Sequence, residues 1–209
     1  EPSYARAHAW RACTLSNLAD WEESPDPKIF ENAIESAKLA LELDSNEPEV
    51  HRIMGALKLW FERDHEMARY HFEKARELCP SDVFIISRYA IMLIYFAEFD
   101  KALEELERAK RLDPFSHDLL FGPEAICHYW LDNPEEALKT FKKVKVKKNY
   151  LFYIALAYKK SGDSDKASEN LKEAYALTGM NNDSFIGSQP FKDQEFTSKL
   201  KSELGNITG

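Results

Sequence analysis

One short phrase returns at a fixed distance along this chain. "ERAKRLDP" at 107–114 restates "EKARELCP" at 73–80, and "KLALELDS" at 38–45 precedes both. Thirty-four residues separate Ala75 from Ala109, Ala68 from Ala102 and Pro80 from Pro114, with Phe72 and Leu106 in the same frame. Ala33 and Ala40 lie 35 residues before Ala68 and Ala75, and Ala137 lies 35 after Ala102, with Phe141 and Val144 in the next slots. Ala167, Leu171 and Ala174 repeat the set 30 residues later. A period near 34 predicts a stack of similar units, none of which can bury its apolar face alone.

Each unit reads as two helices. In residues 82–114 the first helix is expected from about Val83 to Ala97, a turn at Glu98 and Phe99, and a second helix from Asp100 to just before Pro114. Asp100 is a candidate N-cap, and Pro114 cannot continue the helix. Ala102 and Ala109 are seven apart and share one helical face. Missing side chains there let a neighbouring helix approach to roughly 8–10 Å. Ala90 is expected to do the same on the first helix, and Gly55 one unit earlier.

These residues resemble the tetratricopeptide repeat (TPR), which keeps small residues at three fixed positions and a proline near its end. Ala90, Ala102, Ala109 and Pro114 match in one unit. Gly55, Ala68, Ala75 and Pro80 match in the preceding unit, given one extra residue near "LWFERD". Ala155, Tyr158, Gly162, Ala167 and Ala174 match in the last unit, and Ala125, Ala137 and Phe141 in the one before. There Pro123 sits inside the first helix, which predicts a kink or a late start. Ala12, Ala33 and Ala40 mark the first unit, with "WEESPDPK" inserted between its helices. The resemblance implies an all-α, right-handed superhelix with units at about 4–45, 46–80, 81–114, 115–147 and 148–178. The remainder, 179–209, reads as a loop, "TGMNNDSFIGSQP", and a C-terminal capping helix with Phe196, Leu200 and Leu204 on one stripe, ended by Gly205. The order of "YARAHAW", the acidic insertion, "RLDPFSHD" and "QPFKDQEFTSKLKSEL" also resembles the C-terminal TPR segment of bacterial signalling proteins. Those proteins carry a class III nucleotide cyclase or winged-helix domain, and neither is found in this chain.

Composition agrees with a folded helical protein. Of 209 residues 44% are hydrophobic and 31% charged, and only seven are glycine. A net charge of −8 disfavours a general nucleic-acid or anionic-membrane binder. No run of about 18 apolar residues is present, so no membrane span is expected. Cys13, Cys79 and Cys127 lack a CxxC spacing and read as free thiols of a reducing, cytoplasmic compartment. The chain opens at Glu1 without a signal-peptide pattern and reads as a fragment or processed product. The glycosylation-type triplets at Asn182 and Asn206 are short patterns common by chance.

No phosphate-binding loop, HExxH or GxSxG pattern occurs. The six histidines lack metal-ligand spacing, and acidic pairs such as Glu104–Glu105 and Glu135–Glu136 read as solvated helix faces. No metal site, cofactor or catalytic activity is therefore expected. Lys139, Lys142, Lys143, Lys145, Lys147 and Lys148 form a basic cluster at an expected helix end, read as a solvated terminus or as a docking patch. The TPR resemblance implies a concave groove lined by the first helices. It falls on Arg52, Leu59 and Trp60; on Phe84, Ser87, Ile91, Ile94 and Tyr95; on Leu119, Gly122, Ile126, Tyr129 and Trp130; and on Phe152, Lys159 and Lys160. Two readings stay open. The groove takes a peptide or partner helix, self-association included, or the chain's own tail around Phe185, Phe191 and Phe196 fills it. Arg52 and Ala56 do not reproduce the Lys and Asn pair of carboxylate-clamp TPR proteins, which disfavours a chaperone-tail receptor. The expected function is a non-catalytic protein–protein interaction module of a bacterial signalling protein. The alternative is a ligand-sensing domain acting on an attached cyclase or DNA-binding domain.

Overall fold

The computed structural model describes residues 3–21, 27–115 and 117–207, with the backbone alone for 17–21, 27, 117 and 118. The centre of the acidic insertion, residues 22–26, lies outside the described residues, as does Thr208 of the second glycosylation-type triplet. Among the described residues there is no strand. The α-helices in chain order are α1 (Ala5–Trp21), α2 (Pro27–Leu43), α3 (Pro48–Leu57), α4 (His65–Leu78), α5 (Val83–Tyr95), α6 (Phe99–Leu112), α7 (His117–Trp130), α8 (Pro134–Phe141), α9 (Leu151–Lys160), α10 (Ser164–Thr178), α11 (Asn182–Ser188) and α12 (Gln194–Gly205). The chain divides into two compact units, Glu1–Met92 and Leu93–Gly209. The all-α expectation is met.

In the first unit α1 packs on α2, α3 on α4, and α3 on both α1 and α2. Ala5, Ala9 and Ala12 of α1, Ala37 and Ala40 of α2, and Val50, Ile53, Met54 and Leu57 of α3 form one core cluster. The alanines follow the i, i+4, i+7 spacing of a single helical face. On α4 the buried set is Ala68, His71, Phe72 and Ala75. Gly55 is small because Phe72 lies against it. A Cβ on Gly55 would sit 2.9 to 3.1 Å from three Phe72 ring carbons.

The turn inside four successive helix pairs, from α3–α4 to α9–α10, has one recurring geometry. A left-handed residue stands at Arg63 (φ 55°), Ala97 (φ 59°), Asp132 (φ 61°) and Gly162 (φ 88°). The next amide reaches back over the turn: Glu98 donates to the Leu93 carbonyl at 2.9 Å, Asn133 to His128 at 2.9 Å and Asp163 to Tyr158 at 3.0 Å. This is a Schellman-type helix end, and only the last copy uses the glycine that suits it. At the first copy the bond is one residue wider, from Asp64 to Lys58 at 2.9 Å. The extra residue near "LWFERD" is absorbed in a π-helical segment, Lys58–Glu62.

Three expectations are corrected here. Helix α5 stops at Tyr95, and α6 starts at Phe99 with Glu98 at its N-cap position and no side-chain cap, so Asp100 lies in the first turn. The left-handed Ala97 forces the earlier stop. Helix α7 runs from His117 through Pro123, so the late start, one of the two outcomes that proline suggested, does not occur. The segment expected as a plain loop contains α11, which Asn181 and Ser184 begin with a reciprocal capping box. The C-terminal helix α12 lies where expected, with Leu200 and Leu204 buried and Phe196 half-buried.

One buried polar contact crosses from α3 to α4. His51 Nδ1 and His71 Nδ1 are 3.0 Å apart, and His51 Nε2 is 2.9 Å from the Ser45 carbonyl. His51 must donate at Nε2, so with both rings neutral its Nδ1 accepts and His71 Nδ1–H donates. Burial, and then the neighbouring His51 and Lys58, push His71 down from 6.5 to about 4.

Three outcomes follow from this packing. Gly55→Val lowers unfolding free energy by about 1–3 kcal/mol in urea titrations, and adding Phe72→Leu recovers part of the loss. Ala97→Gly raises it by about 0.5–1 kcal/mol, because the left-handed strain is relieved. The folded state resists protonating His71 while the unfolded chain does not. Stability is therefore full above pH 6.5 and falls as pH drops toward about 4. Urea midpoints across that window fall more steeply for the native chain than for His71→Gln.

Candidate functional site

The expected groove residues divide between the two units, and the structure treats them differently. In the second unit Tyr95, Tyr129, Trp130 and Phe152 lie under the chain's own C-terminal segment. Tyr95 meets Phe191 edge-on at 5.2 Å, and its backbone carbonyl accepts from the Lys192 amide at 2.9 Å. Trp130, 6% exposed, contacts Phe191 at 5.3 Å and Phe196 at 5.1 Å, and stacks on Phe99 at 5.9 Å. Phe152 stacks flat on Phe185 at 4.1 Å. The Tyr95 and Tyr153 hydroxyls converge on Gln189 Oε1 at 3.2 and 3.3 Å. Ile94 is buried and Ile126 half-buried.

The polar members of this face are structural. Tyr129 is fully buried and its hydroxyl donates to the Glu203 carboxylate of α12. Burial, and next the Glu203 charge, push the Tyr129 hydroxyl far above its ordinary range, so it stays a donor. Burial also raises Tyr153, and it raises the Cys127 thiol with help from Glu124, so neither supplies an anionic nucleophile. Lys160 donates to the Tyr129 carbonyl at 3.3 Å, pairs with Asp132 at 3.1 Å and lies 4.4 Å from the centre of the Tyr129 ring. Lys159 reaches Ser164 at 3.4 Å. Ser87, back in the first unit, donates to the Phe84 carbonyl at 2.7 Å. Gly122 is a packing position, because a Cβ there would overlap the Tyr150 ring, and Leu119 is exposed.

The basic cluster is not one helical end. Helix α8 closes at Phe141, so only Lys139 lies within it, paired with Glu136 at 3.1 Å. Lys142 caps that helix, and the turn beyond it tucks Val144 into the core. Lys147 and Lys148 belong to a short 3₁₀ segment, Lys147–Tyr150, and Lys143 lies 5.1 Å from the Phe121 ring centre. Lys145 is exposed.

The first unit keeps an open hollow. A cavity of about 400 Å³ is lined by residues of α1, of α3 with the π-segment after it, and of α5; Trp10, Arg52, Trp60, Phe61, Phe84 and Arg88 carry its chemistry. Arg52 is 4% exposed. Its guanidinium carbon lies 5.5 Å from the Trp10 ring centre and 4.8 Å from that of Phe84. Its Nε donates to Glu49 at 2.7 Å, and its buried Nη2 has no hydrogen-bond partner among the described residues. The π-segment turns Trp60 and Phe61 toward the cavity lining, while Leu59 between its neighbours is fully buried in the core. Ile91 is half-buried. Trp10, Phe61 and Arg88 were not expected here. The extra residue in the 34-residue period is a sequence signal near Phe61, and neither Trp10 nor Arg88 has one.

Among the described residues no group of three or more His, Cys, Asp or Glu side chains could hold a metal ion. No helix among them is long and apolar enough to cross a membrane.

The helix-pair architecture with small residues at fixed positions defines a TPR-type fold, and solved structures agree. The chain superposes on the PilF protein of Pseudomonas aeruginosa with a TM-score of 0.64 at 16% identity, over 99% of this chain and 93% of that one. It superposes on a thermophilic TPR protein of Thermus thermophilus with a TM-score of 0.63 at 16% identity, over 96% and 98%. At such identity the likeness is one of fold. No family model matches the chain, and no curated protein matches it.

The aromatic packing of the second unit sets an expectation. Phe191→Ala costs about 3–5 kcal/mol of stability, read by urea titration. It also moves the Trp130 fluorescence to longer wavelength as water reaches the indole.

Proposed function

We propose that the chain is a non-catalytic protein–protein interaction module that binds a peptide or partner helix in the cavity of its first unit. The single observation carrying this is the hollow itself. It presents four aromatic side chains and a buried guanidinium with an unused donor, in a fold whose second unit already covers its corresponding side chains. Trp10 is 45% exposed beside it. Large aromatic side chains around a pocket are the usual anchors of binding energy. The groove residues Arg52, Trp60 and Phe84 contact the partner in this reading, whereas Tyr95, Tyr129, Trp130, Phe152 and Lys160 hold the chain's own segment. The setting proposed is a regulatory module of a bacterial cytoplasmic signalling protein, supported by the sequence resemblance.

A second reading, a ligand-sensing regulatory domain, is favoured by the cavity volume, which falls in the range of small-molecule sites. A thermal-shift screen separates the two. Stabilisation by metabolites with indifference to peptides favours sensing.

The test of the favoured reading is selection of a displayed random-peptide library on the full chain. Peptides are expected to be selected and to bind Trp60→Ala at least about 10-fold more weakly. Failure to select any peptide, or binding that ignores Trp60, overturns it.

A further inference from the structure

Arg52 is placed in an unusual way for a structural arginine. It is almost fully buried, yet its ion pair is made through Nε alone. The guanidinium carbon lies 5.5 Å from the Trp10 ring centre and 4.8 Å from that of Phe84, so two aromatic rings bear on the charge. Nη2 is buried and unpartnered among the described residues, in a side chain that lines the cavity. A buried N–H donor without a partner is costly, and the cost is recovered when an acceptor arrives. Arg88 also lies 4.8 Å from the Phe84 ring centre, so two guanidinium groups are near one ring.

The charge count narrows the acceptor. Glu49 already neutralises Arg52 at 2.7 Å. A multiply charged phosphate entering here would lose hydration and meet little excess positive charge. A single carboxylate costs less to desolvate and accepts from a guanidinium edge with good geometry. The remaining walls are Trp60, Phe61 and Leu57, which favour an apolar side chain beside that carboxylate.

We infer that this cavity receives an Asp or Glu side chain of a partner peptide, flanked by an aromatic or branched apolar residue, with the carboxylate on Arg52 Nη2 and the apolar neighbour against Trp60 and Phe61. The inference rests on the peptide-binding reading above and specifies its chemistry. The acid comes from within the partner's chain, and a chain-terminal carboxylate is an alternative that the test resolves.

Peptides selected on the full chain are sequenced, and the most enriched one is synthesised with an amidated C-terminus. Asp or Glu next to Trp, Phe or Leu is the expected enrichment. Changing that acid to its amide weakens binding about 10–100-fold by fluorescence anisotropy. Arg52→Lys does the same to within a few-fold, since the point charge lacks the stacked fork. Removing Arg52 alone strands Glu49, so the paired variant Glu49→Gln with Arg52→Gln is compared at equal helicity. It is expected to bind the acidic and amide peptides equally. Millimolar inorganic phosphate does not compete. Equal affinity of the acidic and amide peptides for the native chain overturns the inference, as does a requirement for a free C-terminus or competition by phosphate. Each of these leaves peptide binding itself standing, whereas a library that yields no binder removes both.

Discussion

Close approach of helices at positions without bulky side chains is the constraint on which the structure depends. Ala9, Ala12 and Ala40 are completely buried in the first unit, and Ala102, Ala109, Ala137, Ala167 and Ala174 in the second. At each, the methyl group is closed off from solvent. Gly55 is stricter still, since the Phe72 ring occupies the volume a methyl would need. Large side chains then fill the spaces beside these contacts, as Phe72, Leu106, Phe141 and Leu171 do in successive copies. The recurring left-handed turn serves the same end. It brings the second helix of a pair back onto the first within a few residues, at a strain that three of its four copies accept without glycine.

Departures from that regularity carry the candidate function. A strict period would place the residues after Leu57 on an ordinary helical turn. One additional residue widens the turn into a π-segment and presents Trp60 and Phe61 to a hollow that Arg52 and Trp10 share. In the second unit the same kind of surface does not stay open. Phe185, Phe191 and Phe196 enter it, and Glu203 takes the Tyr129 hydroxyl. One unit therefore spends its aromatic face on its own stability while the other leaves its face available. The cost of an unpaired buried Nη2 is of the kind that folded proteins retain at binding sites.

The periodic alanines made the helix pairs legible, because period and small size are both written locally. The aromatic groove residues were legible as a set, but their fate was not. Trp130 and Trp60 look alike in sequence, and nothing near Trp130 in the chain announces Phe191 or Phe196 more than 60 positions on. His51 and His71 escaped notice for a related reason: they lie on different helices, 20 residues apart, and meet only when α3 packs on α4. The geometry of the lysine cluster was not legible, because the helix closes at Phe141, before most of the lysines.

Sequence alone determined the all-α character, the helix pairing and the small-residue contacts, since these follow from side-chain size repeated at helical spacing. It also marked the stretch at 59–64 as irregular, as a one-residue surplus is visible in any alignment of the repeats. Only the tertiary structure decided which aromatic face is covered by the chain and which surrounds an open cavity. It alone showed Arg52 beside two aromatic rings with a donor left over. Those outcomes depend on contacts between residues far apart in the chain, and local pattern carries no information about which distant side chain arrives.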